Sequence, residues 1–311
     1  MIADKPRALI QAMPWVFVLI WSTGFVVARF GMPHAPPFSF LVLRYALSLA
    51  CFLVWTRLAR VEWPATPIQW LHLAVVGMLL HAGYLGGVWA AVKAGIGAGT
   101  VALIVGLQPV LTALWITTGA RGARGATAAT GATRAGRDGP HVTARQWLGL
   151  ALGFGGLALV VWHKLGGGEV TPRNLLFAIF GLLAITTGTL YQKRFVSACD
   201  VRSASAIQLL AALVTTLPLA MLETEPLVWH AQLIGALAWS VGVLTLGGSS
   251  LLYLLIQRGA ATRVTSLMYL VPPCTALLAW ALFGEVFTWS MLAGMVMTVS
   301  GVAMVVRRPV A

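Results

Sequence analysis

The chain has 311 residues, 59% of them hydrophobic and 9% charged, with a net charge of +13 and a mean hydropathy of +0.87. Soluble domains carry roughly 25% charged residues, so this chain has too little polar surface for a globule in water. That excludes a soluble enzyme, a disordered protein and a fibrous repeat, and leaves an integral membrane protein.

The first apolar run, from Ala12 through Val27, is too long for the core of a cleavable signal, and no A-x-A site follows it. It reads as a first membrane span. A helix needs about 20 apolar residues to cross a hydrocarbon layer, and ten such runs are bounded by Pro, Gly or charges. They lie near 12–30, 38–56, 68–92, 98–118, 146–163, 173–193, 203–221, 232–256, 262–283 and 288–306. Tryptophans at run edges (Trp15, Trp63, Trp70, Trp147, Trp229, Trp289) look like interfacial anchors. Cys51, Cys199 and Cys274 are odd in number and far apart, which suits apolar fillers and not a disulfide framework. The segment Gly119–Pro140, rich in Gly, Ala, Thr and Arg, lacks the G-K-[ST] ending of a phosphate loop. It reads as a flexible cytoplasmic linker (loop 119–145), with binding to anionic head groups as the alternative.

Charge placement tests the span count. With the N-terminus inside, the 21 Lys and Arg divide sharply: Arg29, Lys93, Lys164 and Arg173 fall outside, Arg44 lies within a span, and the remaining sixteen fall inside. The acids split four and four, so the bias belongs to Lys and Arg, as the positive-inside rule requires. Both termini are expected in the cytoplasm. The basic residues lie between apolar runs and not along one amphipathic face, so nucleic acid is not an expected partner.

The two halves resemble each other. At an offset of 164, Trp21-Ser-Thr-Gly24 meets Ile185-Thr-Thr-Gly188, Arg29 meets Lys193, Arg44 meets Gln208, Gly83 meets Gly247 and Trp89 meets Tyr253. At 163, Leu107 through Leu114 meets Leu270 through Leu277; at 145, Gly149 through Val161 meets Gly294 through Val306. The drop from 163 to 145 marks an insertion at the linker. Each half then holds five spans, and five is odd, so the second copy enters the membrane in the opposite sense. The expected fold is all-α, ten transmembrane helices in two inverted five-helix repeats, 1–163 and 164–311. Inverted repeats are the architecture of secondary transporters, which bind substrate between the halves near the midplane.

The stretch from Ile20 to Arg29 (IWSTGFVVAR), that from Pro36 to Arg44 (PPFSFLVLR), and Ala281 to Glu285 (ALFGE) followed by Trp289 and a Gly-rich last span resemble the EamA-type drug/metabolite transporters. The resemblance covers nearly the whole chain and is strongest to the exporters of aromatic amino acids and metabolites. It implies a ten-helix exporter of small metabolites in a bacterial-type inner membrane. One departure stands out: the Gly284-Glu285 motif has no counterpart in the first repeat, where the Arg/Gly insertion lies.

Candidate site residues follow from breaks and polar stripes. Pro109 lies mid-span in the fourth helix and Pro272-Pro273 at the matching place in the ninth. Helix breaks at corresponding positions point to a binding site or hinge, with a packing kink as the alternative. At about 100° per residue, Thr245, Ser249, Ser250, Tyr253 and Gln257 share a stripe of the eighth helix, and Thr262, Thr265, Ser266, Tyr269 and Pro273 one of the ninth. His81, Tyr84 and Trp89 form an arc of the third. Unsatisfied polar groups facing lipid cost several kcal/mol each, so these stripes are expected to face protein or water. The expected substrate-binding set is His81, Tyr84, Trp89, Ser249, Ser250, Tyr253, Gln257, Tyr269 and Trp21, with Pro109, Pro272 and Pro273 as hinge. Two readings of Arg44 stand side by side: an intramembrane functional charge or a side chain snorkelling to the interface. No acid lies mid-span. His81 reads as a neutral hydrogen-bonded wall residue or as a proton-linked group.

The function expected is export of small metabolites by alternating access, with amino acids, aromatic ones included, as substrates. No cofactor, metal or catalysis is expected. The partners are a small-molecule substrate and the lipid bilayer, and a monomer is compatible with this. The competing readings are a membrane-embedded enzyme on lipid-linked substrates, which would need clustered acids or His, and a carrier for sugar-phosphates or drug-like compounds.

Overall fold

The computed structural model describes residues 5–112, 114–115, 144–166, 168–248, 250–251, 268–285 and 288–306. The expected linker up to residue 143, and Ser249, Tyr253 and Gln257, lie outside them, as does the side chain of Tyr269. Among the described residues every regular element is helical. They are α1 (Lys5–Gly31), α2 (Pro37–Leu58), α3 (Pro67–Lys93), α4 (Ala98–Thr112), α5 (Ala144–Gly166), α6 (Pro172–Phe195), α7 (Val201–Met221), α8 (Ala231–Gly247), α9 (Val271–Phe283) and α10 (Trp289–Val306). Five of them, α1, α2, α3, α6 and α7, contain a stretch long and apolar enough to cross a membrane; the other five carry shorter apolar stretches.

Local sequence sets where these helices begin. α2, α3, α4 and α6 start from extended residues, and α2, α3 and α6 carry proline in the first turn, where no N–H is missed. Thr171 and Asn174 close a reciprocal capping box on α6, and Asp200 caps α7 through the Arg202 N–H at 2.8 Å. At its far end α9 stops on Gly284 at φ +64°. Several hydroxyls inside the helices bond back to their own turns, as Ser22 does to the Val18 carbonyl and Thr186 to that of Leu182, whereas those of Ser48, Thr216 and Ser240 are buried with no partner among the described residues.

α5 packs along α10, α2 along α7, and α3 against both α6 and α7, while α1, α4 and α9 meet at the centre. Several crossings depend on glycine, two of them most tightly. A Cβ at Gly77 would sit 2.2 Å from the Gln208 carbonyl oxygen of α7, and one at Gly156 would sit 2.5 Å from the Gly294 carbonyl oxygen of α10. Backbones touch there, as small residues permit in membrane helices. Large apolar side chains point outward along the same helices, among them Val54, Leu176, Phe180, Val214, Trp280 and Val296. In water such a coat would be an aggregation surface; against hydrocarbon it is the matching solvent face.

The two ends of the bundle differ. At one end gather the turns after α1, α3, α5, α7 and α9, with Glu169, Glu223, Glu225 and Glu285; we call it the glutamate end. At the other, Gln69 donates to the Ser197 carbonyl at 2.9 Å and Ser203 to that of Glu62 at 3.2 Å.

Candidate functional site

A narrow cavity of about 60 Å³ opens between α1, α3, α4, α6, α9 and α10. Its wall is apolar with a few polar points, the pattern expected of a site for a small ligand: Trp21, Phe25 and Tyr84 supply rings, and Gln108 and Thr298 supply hydrogen-bonding groups. Four pairs in its lining are related by the offsets of the internal repeat. Trp21 and Ile185 are 164 apart; Val105 and Met268, Gln108 and Val271, and Pro109 and Pro272 are each 163 apart. Corresponding parts of the two halves therefore converge on one cavity.

The backbone is irregular around it. In α4 the α-helix stops at Val105, turns through Gly106 and Leu107, and resumes at Gln108-Pro109, whose missing N–H cannot serve the Val105 carbonyl. Pro272 and Pro273 stand in the first turn of α9, just after a 3₁₀ turn at Met268–Leu270. The expected mid-helix break is thus, on the described residues, the start of an α-helix. Two π-helical stretches complete the pattern, Met78–Gly83 within α3 and Ser240–Gly247 ending α8. They end at Gly83 and Gly247, the glycines paired at 164. Such wide turns often mark functional sites.

The π turns hold polar side chains inside the bundle. The Tyr45 hydroxyl donates to the His81 carbonyl at 2.8 Å, and the Thr245 hydroxyl donates to that of Ser240 at 2.8 Å. Arg44 donates to the Thr245 oxygen, from Nη2 at 3.2 Å and more loosely from Nε at 3.4 Å. Only 8% of Arg44 is exposed, so it does not snorkel. Arg44 and Gln208, the residues paired at 164, both lie beside His81, and Tyr84 is also within electrostatic reach of Arg44.

The expected residues are distributed as follows. Trp21, Tyr84, Pro109 and Pro272 line the cavity. His81 belongs to the adjoining polar cluster. Trp89 is 1% exposed and stacked on Phe40 at 4.3 Å between ring centroids, inside the wall and not on its surface. The Ser250 hydroxyl bonds back to the Leu246 carbonyl at 2.6 Å. Sequence reasoning missed Phe25, Gln108 and Met268, and their partners at the repeat offsets, Thr189, Val271 and Val105, gave no signal either, since none is a candidate residue.

At the glutamate end, carboxylates cap helices from other parts of the chain. Glu285 accepts from the Ala98 N–H of α4 at 3.0 Å and pairs with Arg29 of α1 at 3.0 Å. Glu169 accepts from the Gly97 N–H at 3.0 Å and the Thr100 hydroxyl at 3.1 Å, and pairs with Lys164 at 2.7 Å. Glu223 accepts from the Phe38 and Ser39 N–H groups that open α2, at 2.9 and 2.7 Å. Lys93 joins Glu225 to the Met32 carbonyl. Each helix N-terminus is positive and each carboxylate negative, so these contacts reinforce one another.

The profile of the EamA-like transporter family matches residues 12–118 and 173–307. The chain belongs to that family. Relatives of this EamA transporter have similar length. An uncharacterised transporter of Bacillus subtilis is 25% identical over 93% of this chain and 88% of its own. A probable amino-acid metabolite efflux pump of Salmonella typhimurium is 23% identical, over 91% and 90%. An uncharacterised transporter of Archaeoglobus fulgidus is 22% identical, over 92% and 93%. A protein of known crystal structure superposes with a TM-score of 0.61 at 17% identity, over 96% of this chain and 97% of that one, a likeness of fold.

Proposed function

We propose that this EamA transporter exports small metabolites, amino acids with aromatic members among them, across the cytoplasmic membrane by alternating access. In this reading ten spans form two inverted repeats, 1–163 and 164–311, with both termini in the cytoplasm and the glutamate end facing out. The observation that carries it is the cavity lined by four pairs of residues related by the repeat. A transporter needs two states open to opposite faces, and exchanging the roles of two equivalent halves supplies them. The likeness to the probable amino-acid metabolite efflux pump of Salmonella supports the substrate class.

Trp21, Phe25 and Tyr84 would hold an apolar ring, while Gln108 and the cluster around His81 would take its polar end. Ser249, Ser250, Tyr253, Gln257 and Tyr269 are proposed as the opposing wall, and Trp89, on the same helix as Tyr84, as the ring that packs that helix against Phe40 of α2. The breaks at Pro109 and Pro272-Pro273 would act as hinges, since the α-helix is already interrupted beside the first and begins at the second. Purified protein in liposomes loaded with each of the twenty amino acids tests the reading. Protein-dependent efflux is expected for aromatic amino acids; a complete absence of efflux across the twenty would refute the substrate class.

A further inference from the structure

Among the described residues Arg44 is a cation without an anion. It lies seven residues into α2, about 10 Å along the helix axis at 1.5 Å per residue, flanked by Phe40, Leu41, Tyr45 and Ser48, all buried. Its guanidinium carries five N–H donors, and its one hydrogen-bond partner among the described residues is the Thr245 hydroxyl. The described acids stand elsewhere: Glu169, Glu285, Glu223 and Glu225 at the glutamate end, Glu62 and Asp200 at the opposite end. Arg29, Lys93, Lys164 and Arg202 each have a carboxylate at 3.0 Å or less, and Arg44 has none. The groups around it, Tyr45, His81, Tyr84 and Thr245, are hydroxyls and an imidazole, and His81 in turn holds the Gln208 amide.

A buried charge is strongly unfavourable unless paired and hydrogen-bonded. A leucine at this place in α2 would pack without that cost. The arrangement is explained if an anion arrives with the ligand. Planarity and the fork of donors make guanidinium a bidentate partner for a carboxylate, and the single hydroxyl that holds Arg44 leaves most of that fork unused. Tyr84 connects the two places: its side chain lines the cavity and lies within reach of Arg44. A ligand with its ring between Trp21, Phe25 and Tyr84 would have its acid end directed past Tyr84. The repeat adds a second argument. Arg44 and Gln208 are equivalent positions at the repeat offset, and both act on His81, Gln208 through a side-chain hydrogen bond. A matched pair would offer a ligand two equal ends. The cation on α2 and the amide on α7 make the ends unequal and fix which way the acid points.

We propose that Arg44 is the carboxylate-recognition residue of the substrate site, and that the ligands of this cavity are organic acids with an apolar body. The proposal rests on the reading of the cavity as the substrate site but not on amino acids being the substrates. The test is binding to purified protein in nanodiscs, read by thermal shift, with matched probes: phenylalanine, its amide, phenylethylamine, phenylpropionate and phenylpropionamide. In the wild type, acids are expected to bind at least tenfold more tightly than the corresponding amides. Arg44→Gln should bring that ratio close to one, and Arg44→Lys should leave it intermediate. Equal binding of acid and amide by the wild type overturns the proposal without any variant. An unchanged ratio in Arg44→Gln or Arg44→Lys overturns it too, while efflux of amino acids would still support the transport reading. Arg44-dependent binding of phenylpropionate with no binding of phenylalanine upholds the proposal and removes amino acids as substrates. Binding of none of the probes overturns it.

Discussion

Replacing Glu285 by glutamine should loosen the glutamate end. The carboxylate joins three parts of the chain: the turn after α9 that bears it, the N-terminus of α4 through the Ala98 N–H, and α1 through Arg29. A hydrogen bond to a charged group contributes about 1.5–3 kcal/mol, and a pair such as this, with the Arg29 side chain 37% exposed, roughly 0.2–1 kcal/mol. Ala98 and Arg29 share Oε1, so glutamine keeps an acceptor for both but loses the negative charge that strengthens each contact. The second oxygen, Oε2, is buried without a partner, so removing the charge there recovers part of its desolvation cost. The net loss is about 1–2 kcal/mol, which shifts a closed-to-open equilibrium roughly 5–30-fold. With Cys51, Cys199 and Cys274 replaced, Ala102→Cys in the cavity wall reports the opening through its reaction with an impermeant maleimide in right-side-out vesicles. Labelling should accelerate by that factor in Glu285→Gln. An unchanged rate in a variant that melts within a degree or two of the parent would refute the role of this carboxylate as a latch.

Three further outcomes are expected. Gly77→Ala should lower thermal stability in detergent by at least about 1–3 kcal/mol, because its Cβ would meet the Gln208 backbone at 2.2 Å; an unaltered melting curve would contradict the close crossing of α3 and α7. Trp89→Ala should lower stability by about 3–5 kcal/mol and leave the preference for aromatic over aliphatic ligands intact. Tyr84→Ala should reverse that pattern, weakening aromatic ligands by roughly 0.5–1.5 kcal/mol more than aliphatic ones; identical profiles for the two variants would show that neither ring reads the ligand. A cysteine in place of Ala128 should resist impermeant maleimide in intact cells, and rapid labelling would overturn the proposed cytoplasmic placement of the linker.

Hydropathy and charge by themselves determined the membrane class and the places of the helices, because a run of apolar residues of fixed length is a one-dimensional signal. The expected run near 68–92 is observed as Pro67–Lys93, and that near 173–193 as Pro172–Phe195. The prolines and the repeat also pointed to the centre, since Trp21, Pro109 and Pro272 reach the cavity. Which side chains face it was a different matter. An arc through His81, Tyr84 and Trp89 assumes one regular α-helix, but His81 lies in the π turn at Met78–Gly83, whose wider winding shifts it relative to the residues that follow. Tyr84 and Trp89 lie five regular α-helical residues apart, about 140° round the axis at 3.6 residues per turn, so Tyr84 meets the cavity and Trp89 meets Phe40. Arg44 shows the same division. Its position in α2 allowed either a snorkelling or a buried charge, and the choice depended on Thr245, 201 residues away, on the π turn of α8. Local sequence sets where a helix begins and ends; only packing between helices sets its rotation, and the rotation decides which residues touch a ligand.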